Sequence, residues 1–315
     1  MAYKKVAKKY SGKLREVTIG TGDKAITLGG RNVLPLHGFD GEAGQTPKVG
    51  IEIQDVAPTE WIDAFTGIYG DVVNDAVAWA KFAEEKYTPD FICLKFASAD
   101  PNGADTSPEA CAELAKKVCD AITVPLVVAG CNNHEKDALV FNAVAQALEG
   151  QNILLLSATE ENYKTVGAAG ALAYKHKVAA ESSVDINLAK QMNILMNQLG
   201  VQKESIVMNI GCATVGYGFE YVSSTMDRIG LAALGQNDDS LLMPIITPVS
   251  FDTWGVKETM ATEEDVPEWG SVEERGIHME VSTAVACIVS GSDAVVVRHP
   301  KSVDAVKSFV KGIVG

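Results

Sequence analysis

The sequence holds no Cys-x-x-Cys pair. Its six cysteines, Cys93, Cys111, Cys119, Cys131, Cys212 and Cys287, are scattered, whereas iron–sulfur clusters and structural zinc usually draw on short spacings. No metal cluster is therefore expected in this chain. Most of the thiols fall inside apolar runs, where a free cysteine acts as a small buried hydrophobe, and a reducing compartment is expected. Positive charge is also scarce: 27 Lys and Arg stand against 41 Asp and Glu, a net charge of −14. That balance argues against nucleic acid, which rewards clustered cations, and suits a free cytoplasmic protein. No apolar run approaches the roughly 20 residues that span a bilayer. The basic start MAYKKVAKKYSGKLR has no apolar core behind it, so a secretory signal is not expected. It reads as a solvated arm or as a contact for an acidic partner.

Catalytic signatures are missing too. There is no GxSxG, HExxH, HxH or GxxxxGK[ST], which removes the serine-hydrolase elbow, the zinc-protease helix and the phosphate-cradling loop. Only five histidines occur, and of these only His299 ends an expected strand.

What is present is a core. The 315 residues are 47% hydrophobic and 22% charged, with a mean hydropathy of +0.07, as in a soluble globular chain. Continuously apolar runs recur, each followed by a helical stripe. The runs are 49–54, 91–97, 125–130, 152–158, 177–182, 205–210, 241–247 and 293–299. Helices are expected over 71–86, from Thr106-Ser107-Pro108-Glu109 onward with a Thr-x-x-Glu box, from His134, over 160–173, after 182, over 219–234, over 272–290 and at the C-terminus. Eight strand–helix units with two-sided apolar strands predict a TIM (βα)8 barrel. The rival open doubly wound sheet wants a Gly-rich turn after its first strand, and EIQDVAPTEW is no such turn. Residues 13–28 read as a short β-hairpin that closes the barrel's bottom. The expected division is an arm and hairpin over 1–30, then the barrel over 31–315. A long acidic insertion, about 248–271, follows strand seven.

Barrel chemistry sits after the strand ends, and here those exits are mostly small, neutral and polar. Alternation along the strands turns Glu52 and Lys95 inward, where they are expected to meet, with Glu181 and Arg298 joining them. Such a set is either a structural ion network or an acid and base beneath a ligand. Pairing with Glu52 would keep Lys95 charged and unfit for Schiff-base chemistry. Trp254 and Trp269 in the insertion are either rim anchors for a partner or parts of a self-packed loop. The small residues of IVMNIGCATVGYGFEY (206–221) either admit a bulky ligand to the backbone or let a helix pack close to its strand.

Three stretches carry a resemblance: MNIGCATVGYGFEYVSSTMDRIGLAAL, VVAGCNNHEKD, and ITPVSFDTWGVKE with its acidic continuation. They resemble the small (delta) subunit of the corrinoid iron–sulfur protein of the CO dehydrogenase/acetyl-CoA synthase system, over nearly the whole chain. The resemblance implies a TIM barrel that covers a corrinoid at the interface with a large subunit. That large subunit bears the four-iron–four-sulfur cluster and the corrinoid domain. It also implies two further partners: a methyltransferase that delivers methyl from methyltetrahydrofolate, and acetyl-CoA synthase, which receives it. This chain lacks Asp-x-His-x-x-Gly and so supplies no histidine of the usual cobalt-ligating type. No catalytic or metal-binding residue is assigned. Strand-exit geometry alone points to Asn132, Ser157, Ser182, Asn209, Gly211, Cys212 and Thr214 as corrinoid contacts. The rival function is a pterin-binding barrel that itself transfers methyl from methyltetrahydrofolate, for which Asp55, Asp100, Asn132 and Asn209 are available. A third is a scaffold that never touches the cofactor.

Overall fold

The computed structural model describes residues 6–314. An antiparallel hairpin comes first, strands β1 (Glu16–Ile19) and β2 (Ile26–Gly29). Eight parallel strands follow: β3 (Lys48–Gln54), β4 (Phe91–Lys95), β5 (Leu126–Ala129), β6 (Leu154–Ala158), β7 (Lys177–Glu181), β8 (Ile206–Asn209), β9 (Ile246–Thr247) and β10 (Ala294–Val297). The ladder runs β8-β7-β6-β5-β4-β3-β10-β9. A parallel bridge between Met208 and Ile245 joins its two ends, with the Met208 N–H donating to the Pro244 carbonyl at 2.8 Å. Strand β9 is short because Pro244 and Pro248 flank it and proline cannot donate to a ladder.

The helices, in order, are α1 (Asp63–Tyr69), α2 (Ala76–Tyr87), α3 (Pro108–Ala121), α4 (His134–Ala147), α5 (Tyr163–Val166), α6 (Ile186–Gln198), α7 (Phe219–Gly230), α8 (Val249–Thr253), α9 (Lys257–Met260), α10 (Val272–Ser290) and α11 (Pro300–Val314). Their starts obey local chemistry. The carboxylates of Asp75 and Asp185 accept two backbone N–H groups each at the heads of α2 and α6, and Asn133 caps α4. Two expectations need correction. The cap of α3 is Ser107, not Thr106, because Pro108 takes the first helical position. The stretch 71–86 is not one helix; a tight turn over Gly70–Asn74 precedes α2, since Asp75 competes for the backbone as its cap.

Strand alternation sorts the core into two layers. Ile51, Ile53, Ile92 and Leu94 face the helices. Phe91, Cys93, Val127, Leu154, Val207 and Val296 fill the barrel's interior together with Val17, Ile19 and Leu28 of the hairpin, which plugs the bottom. Large and small residues alternate there. A Cβ on Gly50 would lie 2.1 Å from the Phe91 ring. Gly50→Ala is therefore expected to cost about 1–3 kcal/mol by overpacking, read as a lower urea midpoint with an unchanged m-value. An unchanged midpoint would show that Phe91 has another place to go.

The segment after β9 folds back on the barrel. Trp254 is 5% exposed, so it is no rim anchor. Its indole donates to Glu280 at 2.8 Å and meets the Phe65 ring edge-on. Gly276 leaves it room, since a Cβ there would lie 2.1 Å from the indole. Trp269 is 37% exposed, with the Lys257 and Arg275 cations 5.3 and 5.8 Å from its ring. Among the described residues no helix is long and apolar enough to cross a membrane.

Candidate functional site

A cavity of about 440 Å³ opens at the C-terminal ends of the strands, where this fold places its sites. Its wall has one satisfied network and one open group. At the end of β8 the Asn209 amide donates to Ser157 Oγ at 3.0 Å and to Glu181 Oε2 at 3.4 Å. Its carbonyl accepts from the Gly211 N–H at 3.0 Å. Ser157 in turn donates to Glu181 at 2.5 Å. Three neighbouring strand ends, β6, β7 and β8, are thereby tied together under the cavity.

The exit of β5 is held by Asp137, from the first turn of α4. Its carboxylate accepts the Cys131 N–H at 2.7 Å and the Cys131 thiol at 3.2 Å. Burial raises its pKa, against those hydrogen bonds. A Cβ on Gly130 would meet this carboxyl at 2.2 Å, so the glycine is required by the close approach. Asn132, just beyond, has φ +67 and lines the cavity, and its side chain makes no hydrogen bond among the described residues.

Helix α8 supplies the opposite wall through Phe251 and Asp252. Asp252 is open to solvent through the cavity. The enclosing walls, and secondarily the Glu181 charge, still raise its carboxyl to about 6, against an opposing pull from Lys95. Cys212 lines the cavity as a neutral thiol, pushed well above the usual range first by its contact with Cys287 and then by burial.

Five sequence-chosen positions therefore line this cavity: Asn132, Ser157, Asn209, Gly211 and Cys212. Ser182 and Thr214 do not. Both are buried behind it, with hydroxyls that meet no partner among the described residues. Sequence reasoning turned Glu181 inward with the ion set, and it missed Asp137, Phe251 and Asp252. The one signal for Asp137 was an acid in the first turn after the Asn133 cap. For α8 the sequence offered only PVSFDTWG directly after a strand end.

The glycines of the β8 exit have a third explanation. Gly211, Gly216 and Gly218 all have φ between +79 and +95. A Cβ on Gly216 would meet open space, and one on Gly211 only ordinary contacts. Left-handed backbone demands them, not crowding by a helix.

The expected inward ion set also differs in its pairs. Glu52 is held by Arg298, not by Lys95, at 3.1 Å. Lys95 instead sits over the Phe251 ring, 4.4 Å from its centroid. Among the described residues no group of three His, Cys, Asp or Glu could hold a metal ion.

Comparison with known proteins adds family and fold. Residues 16–306 match the family model described as CO dehydrogenase/acetyl-CoA synthase delta subunit. The acetyl-CoA decarbonylase/synthase complex subunit delta 2 of Methanosarcina acetivorans is 32% identical over 300 residues, 94% of this chain and 68% of that one. The subunit delta of Methanocaldococcus jannaschii is 31% identical over 310 residues, 96% of this chain and 75% of that one. Among solved structures, dihydropteroate synthase of Xanthomonas albilineans with 4-aminobenzoic acid superposes with a TM-score of 0.57. It covers 94% of this chain and 96% of its own at 12% identity. The Yersinia pestis dihydropteroate synthase with a sulfonamide drug gives 0.56, covering 85% and 93%, again at 12% identity. At such identities the likeness is one of fold, the TIM barrel.

Proposed function

This chain belongs to the CO dehydrogenase/acetyl-CoA synthase delta subunit family, and we propose that it serves there as the small subunit of a heterodimeric corrinoid iron–sulfur methyl carrier. In this reading the barrel mouth covers a corrinoid carried by a large subunit, which also holds the four-iron–four-sulfur cluster. Methyl arrives from methyltetrahydrofolate on a separate methyltransferase and leaves to acetyl-CoA synthase. The observation that carries the reading is the donor set of the mouth. It offers an amide, a hydroxyl and a neutral thiol on small, backbone-exposed exits, and no metal-ligand set among the described residues. Such a set fits the amide-rimmed edge of a wide macrocycle and not its metal. When bound, the corrinoid supplies the cobalt chemistry of methyl uptake and release.

The chain's own residues then do three things. Asn132 offers hydrogen bonds to peripheral amides, and Ser157 Oγ and the Asn209 side-chain carbonyl, each with one lone pair left by their network, accept from them. Gly211 and Cys212 let a flat ring approach the backbone. The closed barrel beneath excludes water from the covered face. Ser182 and Thr214, lying behind the cavity, hold the loops through their backbone groups, which pair with Asn209, Asp185 and Tyr217. A cytoplasmic setting suits the six free thiols.

A second reading has its own observation. Glu181, Asp252, Asp137 and Asn209 converge on a cavity whose volume suits a small ligand. That supports direct binding of a pterin such as methyltetrahydrofolate.

Anaerobic purification followed through this chain separates the two. The carrier reading expects a one-to-one complex with a larger chain, holding both cobalt and iron. The chain emerging alone, metal-free and binding methyltetrahydrofolate, would sink that reading. Within the complex, Thr159→Trp fills the mouth and is expected to weaken corrinoid retention roughly tenfold, equivalent to about 1.4 kcal/mol. Cobalt content would fall while iron stays constant. A parallel loss of both metals would mean the subunits had separated instead.

A further inference from the structure

Two charges, one in the cavity wall and one resting on the wall residue Phe251, are left without partners among the described residues. The Asp252 carboxyl lines the cavity and accepts no side-chain hydrogen bond or ion pair from any described residue. The Lys95 ammonium lies within ion-pair distance of no described carboxylate. It rests on the Phe251 ring, 4.4 Å from the centroid, one residue before Asp252. The two charges feel each other without touching. Asp252 meets solvent through the cavity and Lys95 is half-buried, so a ligand that pairs with both replaces water by charge-assisted hydrogen bonds.

We propose that Lys95, Phe251 and Asp252 form a receptor for the amide edge of a ligand, a carbonyl oxygen beside an N–H. The carbonyl oxygen accepts from Lys95, whose ammonium is seated on the Phe251 ring, and one N–H donates to Asp252. A primary amide has a second N–H, and Glu181 stands ready for it. A carboxylate has about four acceptor sites, and Ser157 and Asn209 occupy only part of Glu181's. The chemistry discriminates. A carboxylate or phosphate would be repelled by Asp252 and Glu181, and a free amine, having no acceptor, would leave Lys95 unpaired. A neutral amide satisfies both signs through charge-assisted hydrogen bonds.

Two sources present such an edge: a carboxamide arm of a corrinoid and the lactam of a reduced pterin. The corrinoid is favoured by the small polar groups Asn132, Ser157 and Thr159 around this receptor, and to that extent the inference rests on the carrier reading. The test uses the purified complex with its corrinoid-bearing subunit, stripped and refilled with cobinamide, which keeps the amide arms. Retention is followed by cobalt content and visible absorption, and methyltetrahydrofolate binding by equilibrium dialysis. Asp252→Ala and Lys95→Met are compared with a surface control, Glu113→Gln.

Each receptor variant is expected to weaken cobinamide about tenfold, the loss of one charge-assisted hydrogen bond. The control should not change. The melting temperature of the empty Asp252→Ala protein should not fall, since removing Asp252 relieves its repulsion with Glu181. Equal retention by all four proteins would overturn the receptor and leave the carrier reading standing. Wild type that fails to hold cobinamide but binds methyltetrahydrofolate, with Asp252→Ala weakening it, would keep the receptor, assign it to the lactam and overturn the carrier reading. Wild type that binds neither probe would overturn both.

Discussion

Glu52→Ala is expected to destabilise the fold by about 3–5 kcal/mol, the cost of leaving a buried charge without its partner. Glu52 is 0% exposed and lies between three donors. Arg298 reaches it through Nε at 3.2 Å and Nη2 at 3.1 Å, and Gln54 donates at 3.4 Å. The guanidinium is roofed by the Trp61 ring, 4.3 Å from its centroid, so water cannot replace the lost carboxylate. Urea denaturation would show the drop as a lower midpoint. Arg298→Met in the same chain should return most of the loss, because a buried pair is worth little more than apolar residues of like volume. If the double variant is no better than the single one, the loss comes from packing and not from charge.

The same pair makes stability depend on pH, with a definite sign. Burial pushes the Glu52 carboxyl up, but Arg298, then Lys95 and the Gln54 hydrogen bond, bring it below its usual 4.5. A carboxyl lower in the folded than in the unfolded state contributes stability that is present above the unfolded value. That contribution is lost as pH falls through the folded value. Wild type should therefore lose stability below about pH 4.5 faster than the Glu52→Ala, Arg298→Met double variant. Parallel acid limbs would contradict this.

Glu280→Ala is the second large effect. This carboxylate, on the inner face of α10, accepts the Trp254 indole N–H at 2.8 Å, the Arg298 backbone N–H at 2.6 Å and the His299 N–H at 3.0 Å. An orphaned buried donor costs about 1–3 kcal/mol, so a total of at least about 3 kcal/mol is expected even where water enters. The loss should be local first. Trp254 anchors the segment after β9, and without its acceptor that segment should lift from α10. Trypsin should then cut at Lys257 well before the barrel unfolds. Glu280→Gln keeps one acceptor oxygen and should fall between. An unchanged cleavage rate in Glu280→Ala would mean that ring packing with Phe65 and Gly276 holds the segment unaided.

Fold and site were legible to different depths. The barrel could be read because each strand is apolar on both faces and each helix on one. Those periodicities follow from local geometry, 2.0 and 3.6 residues per repeat. The hairpin at the bottom could be read for the same reason. The left-handed glycines of the β8 exit were visible as glycines, but their backbone angles were not. The β7 exit adds a feature with no sequence mark at all. Ser183 and Val184 both take positive φ, 43 and 61, an unusual state for a β-branched residue. Val184 is held there by hydrogen bonds from its N–H to the Ile210 carbonyl and from Thr225 to its own carbonyl.

By itself, then, the sequence determined which residues turn inward, which strands are buried and where the loops carry small polar groups. Who meets whom was decided by tertiary structure. Alternation placed Glu52, Lys95 and Arg298 in the barrel's interior but said nothing of their heights. The ladder sets Glu52 opposite Cys93 on β4, so that Lys95 lies a full repeat higher. It sets Ile51 opposite Val297 on β10, which brings Arg298 level with Glu52. Strand stagger is a property of the closed barrel, not of any one strand. It gave Glu52 to Arg298 and left Lys95 to Phe251.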